Sequence, residues 1–450
     1  MGGNSLERKK YVAYPEYKDS TEEWLGKVPE HWEVIQIKRL SPVKRGASPR
    51  PIDDPKYFDE VGEYAWTRIA DVTASDVYLT KAPQRLSDLG SSLSVKLEPE
   101  SLFLSIAGTV GKPCITGMKA CIHDGFVYFP ELKIPSKFLF YVFAGEQAYK
   151  GLGKFGTQLN LNTDTVGGIK IGCTTNEELN QIVTFLDHET AKIDTLIEEQ
   201  QSLIRLLKEK RQAVISHAVT KGLNPDAPMK DSGAEWFTEL PGHWKAGKLG
   251  YFSKITNGAT PSRENSAYWK DGTIGWLNSS KVNDVYIDKA DQFITPLALS
   301  QTSVQEVVEK DLVIAITGEG QTRGRVAICL TNATINQHLA AISITNPNLN
   351  HEFLFYYLTS QYERIRYESS GAGSTKGAIT CGDIVSYPLP IPSIDEQLEI
   401  VEYISNKLEK FDLLLQLAIE QIEFLKERRT ALISAAVTGK IDVRDWVAPP

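Results

Sequence analysis

Four places in this 450-residue chain carry side chains of the kind that do chemistry. The first is Gly320-Gln-Thr-Arg-Gly-Arg325, three donors in a glycine-flanked loop that follows an apolar run. The second, Gly108-Thr-Val-Gly111-Lys112, has the composition of a phosphate loop without its GxxxxGK[ST] spacing, and Pro113 follows. The third, His188-Glu189, has no second His four positions on, so it is not a zinc motif. The fourth is the pair His31 and His243, each followed by Trp, where a ring placed beside an indole is a structural feature. No NPPY or DPPY adenine-methylation motif, no GxGxxG loop opening a helix and no carboxylate–lysine nuclease cluster is present. The pattern points to recognition rather than bond-breaking, with no catalytic and no metal-binding residues.

If the recognised ligand were a duplex, as the family resemblance described below implies, Arg, Lys, Asn, Gln, Ser and Thr would meet base edges and basic and backbone donors the phosphates. In the first half of the chain the candidates are Lys44, Arg45, Arg50, Arg68, Lys112, Gln158 and Asn160. In the second half they are Arg263, Asn278, Ser279, Lys281, Gln321, Arg323, Arg325, Ser374, Thr375 and Lys376. The glycine-flanked stretches 156–162 and 371–377 would let backbone approach a duplex closely.

The elements that position these residues occur twice. Leu186–Thr220 aligns without a gap to Ile404–Thr438 at a constant offset of 218 residues. Both copies lack Gly and Pro and are rich in Leu, Lys, Glu, Gln and Ala, so both are predicted to be helices. Leu186, Ile193, Ile197, Ile204 and Leu207 in one, and Ile404, Phe411, Leu415, Ile422 and Leu425 in the other, follow a coiled-coil seam. Polar Thr190 and Gln200 weaken the first seam, so its partner is expected to be the second helix, packed antiparallel. Some 35 residues at about 1.5 Å each would make a spacer of roughly 50 Å. Arg211 and Arg429 interrupt the seams and are expected to pair with a Glu or a main-chain carbonyl.

A leading block, KDSTEEWLGKVPEHW at 18–32, returns as KDSGAEWFTELPGHW at 230–244. The stretches between block and helix are related more distantly. Gly46-Ala47-Ser48-Pro49 answers Gly258-Ala259-Thr260-Pro261, Trp66 answers Trp276, and LFLSIAG (102–108) answers LVIAITG (312–318). These apolar runs ending in Gly read as buried strands, with helices predicted at 136–149 and 351–368. IKIGCTTNEELNQIV (169–183) answers LPIPSIDEQLEIV (389–401) and leads into each long helix. The fold class is α+β: two globular modules and two long antiparallel helices, related by an internal pseudo-twofold repeat. The predicted segments are an arm (1–17), a first module (18–172), a central helix (173–222), a second module (223–391), a second helix (392–440) and a tail (441–450).

Net charge is −8, but its distribution matters more than its sum. Residues 30–165 hold 16 basic and 16 acidic side chains, residues 243–391 hold 13 of each, and the first 29 residues balance. The excess divides into −4 within 166–242 and −4 within 392–450, the helical segments. Any DNA contact is therefore expected on the neutral modules, and protein contact on the acidic helices. No apolar run reaches the length of a membrane span, and no secretion leader is apparent. Five cysteines without a CxxC pair suit a reducing cytoplasm.

The paired EEW…PxHW or AEW…PxHW blocks, the IPSIDEQ opening at 391–397 and the LLKEKR/FLKERR…IS…AVT helices around two divergent modules resemble the specificity subunit of type I restriction–modification systems. The resemblance spans nearly the whole chain, departing where GCTTNEEL (172–179) replaces the proline-rich form. It implies two target-recognition domains, each reading half of a bipartite, asymmetric double-stranded DNA site, with the helices as ruler and dock for two methyltransferase subunits. Restriction subunits complete such complexes. S-adenosylmethionine, ATP and Mg are then expected on partner subunits and no cofactor on this chain. The competing reading is a coiled-coil scaffold with two protein-binding modules and no DNA specificity.

Overall fold

A computed structural model of the chain describes residues 11–149, 152, 161–234, 237–318, 320–370 and 377–448. It divides into two compact units, Met1–Gln201 with Ile419–Pro450, and Ser202–Ala418. The division differs from a cut in chain order. Each unit takes one module, the adjoining part of the central helix and a part of the second long helix, because each module's core continues onto both helices.

In the first unit, Leu102–Ser105 and Pro113–Thr116 are buried at every residue, as strands covered on both faces must be. They form the middle of a five-stranded sheet ordered Lys44–Arg45, Phe126–Tyr128, Leu102–Ser105, Pro113–Thr116, Tyr78–Leu79. The last strand pairs parallel and the others antiparallel. A four-stranded sheet runs Arg85–Leu86, Tyr64–Thr67, Ala120–Ile122, Val95–Leu97. Two further pairs complete the unit: the leading-block hairpin Tyr17–Asp19 with Lys27–Pro29, and Glu33–Gln36 with Lys170–Cys173.

The second unit repeats this order strand for strand. Its five-stranded sheet runs Ser253–Asn257, Leu339–Ile344, Leu312–Ala315, Val326–Cys329, Tyr286–Ile287, again with a parallel last strand. Its four-stranded sheet runs Gln292–Ile294, Ile274–Leu277, Ala333–Ile335, Gln305–Val307. Met229–Ala234 pairs Phe237–Pro241, and Lys245–Lys248 pairs Pro388–Ile391. The latter pair matches Glu33–Gln36 with Lys170–Cys173, so GCTTNEEL and IPSIDEQ leave the same connection in place. The predicted helix at 351–368 is two helices, His351–Ser360 and Tyr362–Ser369, broken at Gln361.

The long helices are Asn176–Lys221 and Ile394–Val437, each starting ten residues before the repeat that announced it. Glu177 and Glu178, and Asp395 and Glu396, occupy their first turns, where the helix dipole favours negative charge. In the first unit Leu186 and Ile193 are buried with Leu425, Leu432, Ile433 and Ala436. In the second, Ile215, Ala218 and Val219 are buried with Ile400, Val401 and Ile404. Thr190 is buried at the seam, and its hydroxyl donates to the Leu186 carbonyl at 2.6 Å. Ile197, Ile204, Leu207 and Leu415 are half-buried.

Arg211 and Arg429 pair with neither Glu nor carbonyl. Arg429 Nε donates to Asp194 Oδ1 at 2.8 Å within the first unit. Arg211 Nε lies 3.6 Å from Asp412 Oδ1 within the second. Asp194 and Asp412, like Arg211 and Arg429, are repeat mates at the 218-residue offset. One helix's Arg meets the other helix's Asp in each unit, which antiparallel packing requires. Among the described residues no helix is long and apolar enough to cross a membrane.

Candidate nucleic-acid interface

An equivalent carboxylate in the first turn of each long helix ties it to a module. Trp32 Nε1 donates to Glu178 Oε1 at 3.0 Å and His31 Nε2 lies 2.9 Å from Oε2. Trp244 Nε1 donates to Glu396 Oε1 at 2.9 Å and His243 Nε2 lies 2.9 Å from Oε2. Both indoles are fully buried. Glu178 also accepts from the Tyr14 hydroxyl at 2.8 Å and the Thr174 hydroxyl at 2.9 Å. Burial alone would raise its pKa, but the bonds from Trp32, His31, Tyr14 and Thr174 outweigh this and hold it below the ordinary glutamate value. The histidines are thus structural, as the HW pairs suggested. Their acidic partners, Glu178 and Glu396, were not foreseen.

Three adjoining loops of the first module carry its candidates. The 44–50 segment runs beside the 122–125 turn, where Gly46 N donates to the Phe126 carbonyl and Ala47 N to the Ile122 carbonyl. A Cβ on Gly46 would lie 2.1 Å from the His123 carbonyl oxygen, so only glycine fits this approach. Lys44 and Arg45 form an exposed edge strand. Arg45 Nε donates to the Asp124 carbonyl, and Arg50 Nη2 pairs with Asp124 Oδ2 at 3.2 Å. Arg68 ends the strand Tyr64–Thr67 and grips Asp71 with two nitrogens, at 3.2 and 3.0 Å. Lys112 Nζ donates to the Thr73 carbonyl at 2.9 Å. Gln158 and Asn160 lie outside the described residues.

The second module places its candidates on the equivalent loops. Gly258 N donates to the Leu339 carbonyl and Ala259 N to the Ile335 carbonyl, as Gly46 and Ala47 do to their partners. Asn278 follows Ile274–Leu277, as Arg68 follows its strand, and caps the turn Ser279–Asn283 by accepting from Ser280 N at 2.9 Å. Lys281 Nζ pairs with Asp291 Oδ1 at 2.7 Å. Arg325 takes the place of Lys112 and reaches back to the preceding turn in the same way, donating to Asn283 Oδ1 at 3.0 Å. Ser374, Thr375 and Lys376 lie outside the described residues.

The frame is shared and the chemistry on it is not. In the first module Ser48, Arg50, Ile52, Trp66, His123 and Asp124 border a recess of about 620 Å³. Burial there lowers the His123 pKa more than Asp124 raises it. In the second module Arg263 lies over the indoles, its guanidinium carbon 3.7 Å from the Trp269 centroid and 4.8 Å from that of Trp276. Its Nη2 donates to Gln292 Oε1 at 2.7 Å.

The three donors of Gly320–Arg325 do not share one surface. Gln321 is exposed and Arg325 half-buried, but Arg323 is only 7% exposed and turned into the module. Gly377 makes room for it, since a Cβ there would sit 1.8 Å from Arg323 Nη1. The helix Tyr362–Ser369 adds Tyr362 and Arg366 to this loop, which the sequence did not single out. Its only sequence signal was an Arg-x-Arg pair just before a Gly-rich stretch.

Residues 241–423 match the family described as type I restriction modification DNA specificity domain. A putative type I restriction enzyme specificity subunit, MjaX of Methanocaldococcus jannaschii, is 25% identical over 93% of this chain and 96% of its own length. The EcoR124I/EcoR124II specificity subunit of Escherichia coli is 26% identical over 40% of this chain and 43% of its own. The fold is that of the HsdS subunit from Thermoanaerobacter tengcongensis, at TM-score 0.54, 16% identity, 92% of this chain and 98% of that one. A chain from a structure of complex assembly and conformational transition of the type I R-M system aligns at TM-score 0.69, 15% identity, 91% and 98%.

The duplicated two-module frame with its two long helices is thus the fold seen in an HsdS subunit. Over nearly its whole length the chain is similar to specificity subunits of type I restriction enzymes, and residues 241–423 match the specificity-domain family.

Proposed function

We propose that this chain is the sequence-specific DNA-binding subunit of a type I restriction–modification complex, and that it performs no chemistry itself. Each module reads one half of a bipartite, asymmetric site, and the two helices set the gap and dock two methyltransferase subunits. The carrying observation is that one strand order, with equivalent backbone bonds at the loops, is used twice with different side chains on those loops. Two different readers on a repeated frame favour a non-palindromic site with fixed spacing.

The helix surfaces support docking of two copies of one partner. Leu196 and its repeat mate Leu414 are 42% and 48% exposed, and Leu206 and its mate Phe424 are 54% and 58% exposed. Matching apolar side chains left in water on both repeats, amid acidic neighbours, suit a protein surface rather than phosphate. S-adenosylmethionine, ATP and Mg belong in this reading to the partner subunits.

Most candidate donors are already held by acceptors of their own module, so the isolated chain is expected to bind DNA weakly. The methyltransferase then supplies much of the electrostatic affinity. The test is binding by the complex of this chain with its methyltransferase across a randomised duplex library. One bipartite sequence with a fixed gap is expected, and the absence of any sequence preference would leave the scaffold reading standing.

A further inference from the structure

Three basic candidates on the loop ends of the modules face an acid. Arg50 faces Asp124, Arg68 faces Asp71 and Lys281 faces Asp291. The loop Gly320–Arg325 and the helix Tyr362–Ser369 depart from this. Three guanidiniums, Arg323, Arg325 and Arg366, meet there, and no carboxylate among the described residues lies within ion-pair distance of them (Glu319 is outside those residues). They are held by neutral acceptors instead. Arg366 Nη1 donates to the Gly320 carbonyl at 2.6 Å and to the Tyr362 hydroxyl at 3.2 Å. The Tyr362 hydroxyl donates to the Gln321 carbonyl, and Arg325 Nη2 to Gln321 Oε1 at 3.3 Å.

Arg323 is the central member. Its Nη2 reaches the Arg366 carbonyl at 3.4 Å, its Nε has no partner among the described residues, and it is 7% exposed. A buried cation without a counter-charge is costly, and an anion nearby removes much of that cost. Gly324, at φ +86°, brings the loop against Ile365, Arg366 and Tyr362. A Cβ added at Gly324 would lie 3.4 to 3.6 Å from their side chains, so the cluster is built by backbone packing.

Resting on the DNA-reading function above, we infer that Arg325 and Arg366, with Arg323 beneath them, form a clamp for a backbone phosphate of the DNA. The ligand is a phosphodiester rather than a base edge. A guanine edge takes both ends of a free guanidinium fork. Arg325 has both terminal nitrogens committed to Asn283 and Gln321, and Arg366 has one committed twice. What remains is concentrated positive charge with a few outward donors, which an oxyanion accepts without a fixed register.

The experiment measures DNA affinity against salt for the complex of this chain with its methyltransferase. The probes are a duplex carrying the site mapped from host methylation and a random duplex of equal length. Arg325→Gln and Arg366→Gln are each expected to flatten the log–log salt slope by about 0.9, which is about 3.5-fold in affinity over a fourfold salt change. The loss is expected on both duplexes alike, with Arg366→Lys and Arg325→Lys restoring the slope. Unchanged slopes in both Gln variants would overturn the clamp. A loss confined to the specific duplex would make these residues base readers and overturn it equally. A wild-type complex that binds both duplexes equally refutes the reading of a specific site instead, while the slopes still report on the clamp. Matching hydrogen-exchange protection of residues 312–318 in the variants separates charge loss from unfolding.

Discussion

Glu178 offers the sharpest structural perturbation. It accepts four side-chain hydrogen bonds, from Tyr14, His31, Trp32 and Thr174, and its side chain is 8% exposed. Glu178→Ala leaves the fully buried Trp32 indole N–H and the buried Tyr14 hydroxyl without an acceptor. At ~1–3 kcal/mol for each stranded group, the two buried groups alone cost about 2–6 kcal/mol, and the shallower His31 and Thr174 bonds add to this. Glu396→Ala strands only the Trp244 indole, because His243 is 58% exposed and finds water, so about 1–3 kcal/mol is expected. The assay is urea titration of the full chain, read by hydrogen exchange in 27–36 with 170–180 and in 241–248 with 388–396. Exchange resolves the units, which a single two-state fit would not. Equal losses in the two units, or a Glu178→Ala loss under about 1 kcal/mol, would refute the reasoning. The carboxylate also carries a pH signature. Its folded pKa is below its unfolded one, so the stabilisation is complete above about 4.5 and is lost as pH falls through the folded value. Glu178→Gln should lack this acid-side loss.

Other outcomes follow from the same geometry. A double-mutant cycle on Arg429 and Asp194 should give a coupling of about 0.5–1 kcal/mol, given their partial exposure, and the longer Arg211–Asp412 pair should give less. Gly377→Ala should destabilise the second module by about 1–3 kcal/mol, since its Cβ would meet the buried Arg323 guanidinium; chemical denaturation with exchange in 312–318 reads this. Inserting whole helical turns after Gln200 should lengthen the gap of the recognised site and leave both half-sites unchanged, as methylation mapping would show. An altered half-site at unaltered spacing would refute the ruler.

The duplication and the helices were legible because a gapless 218-residue offset and a heptad seam are local patterns of one string. The first turns of the helices precede the repeated stretches but lie within the predicted helical segments 173–222 and 392–440. Asn176–Phe185 carries Leu179, Ile182, Val183 and Phe185 buried in the core of the first unit, a denser apolar face than a coiled-coil seam. Glu178 and Glu396 escaped notice because their partners lie 147 and 153 residues away, at His31 and His243. Yet they are repeat mates, each three positions into its helix, and aligning the helix openings residue by residue would have exposed them. Arg323 shows the opposite difficulty. Its Gly-rich surroundings read as an exposed loop, whereas the glycines let backbone close over the side chain.

The central claim is that two unlike modules on one repeated frame read two unlike half-sites. Mapping methylated adenines across host DNA, with and without this chain, tests it most directly. The account predicts that one asymmetric bipartite motif with a single gap length loses methylation when the chain is deleted. A palindromic or contiguous motif, or a methylation pattern indifferent to the deletion, would contradict it.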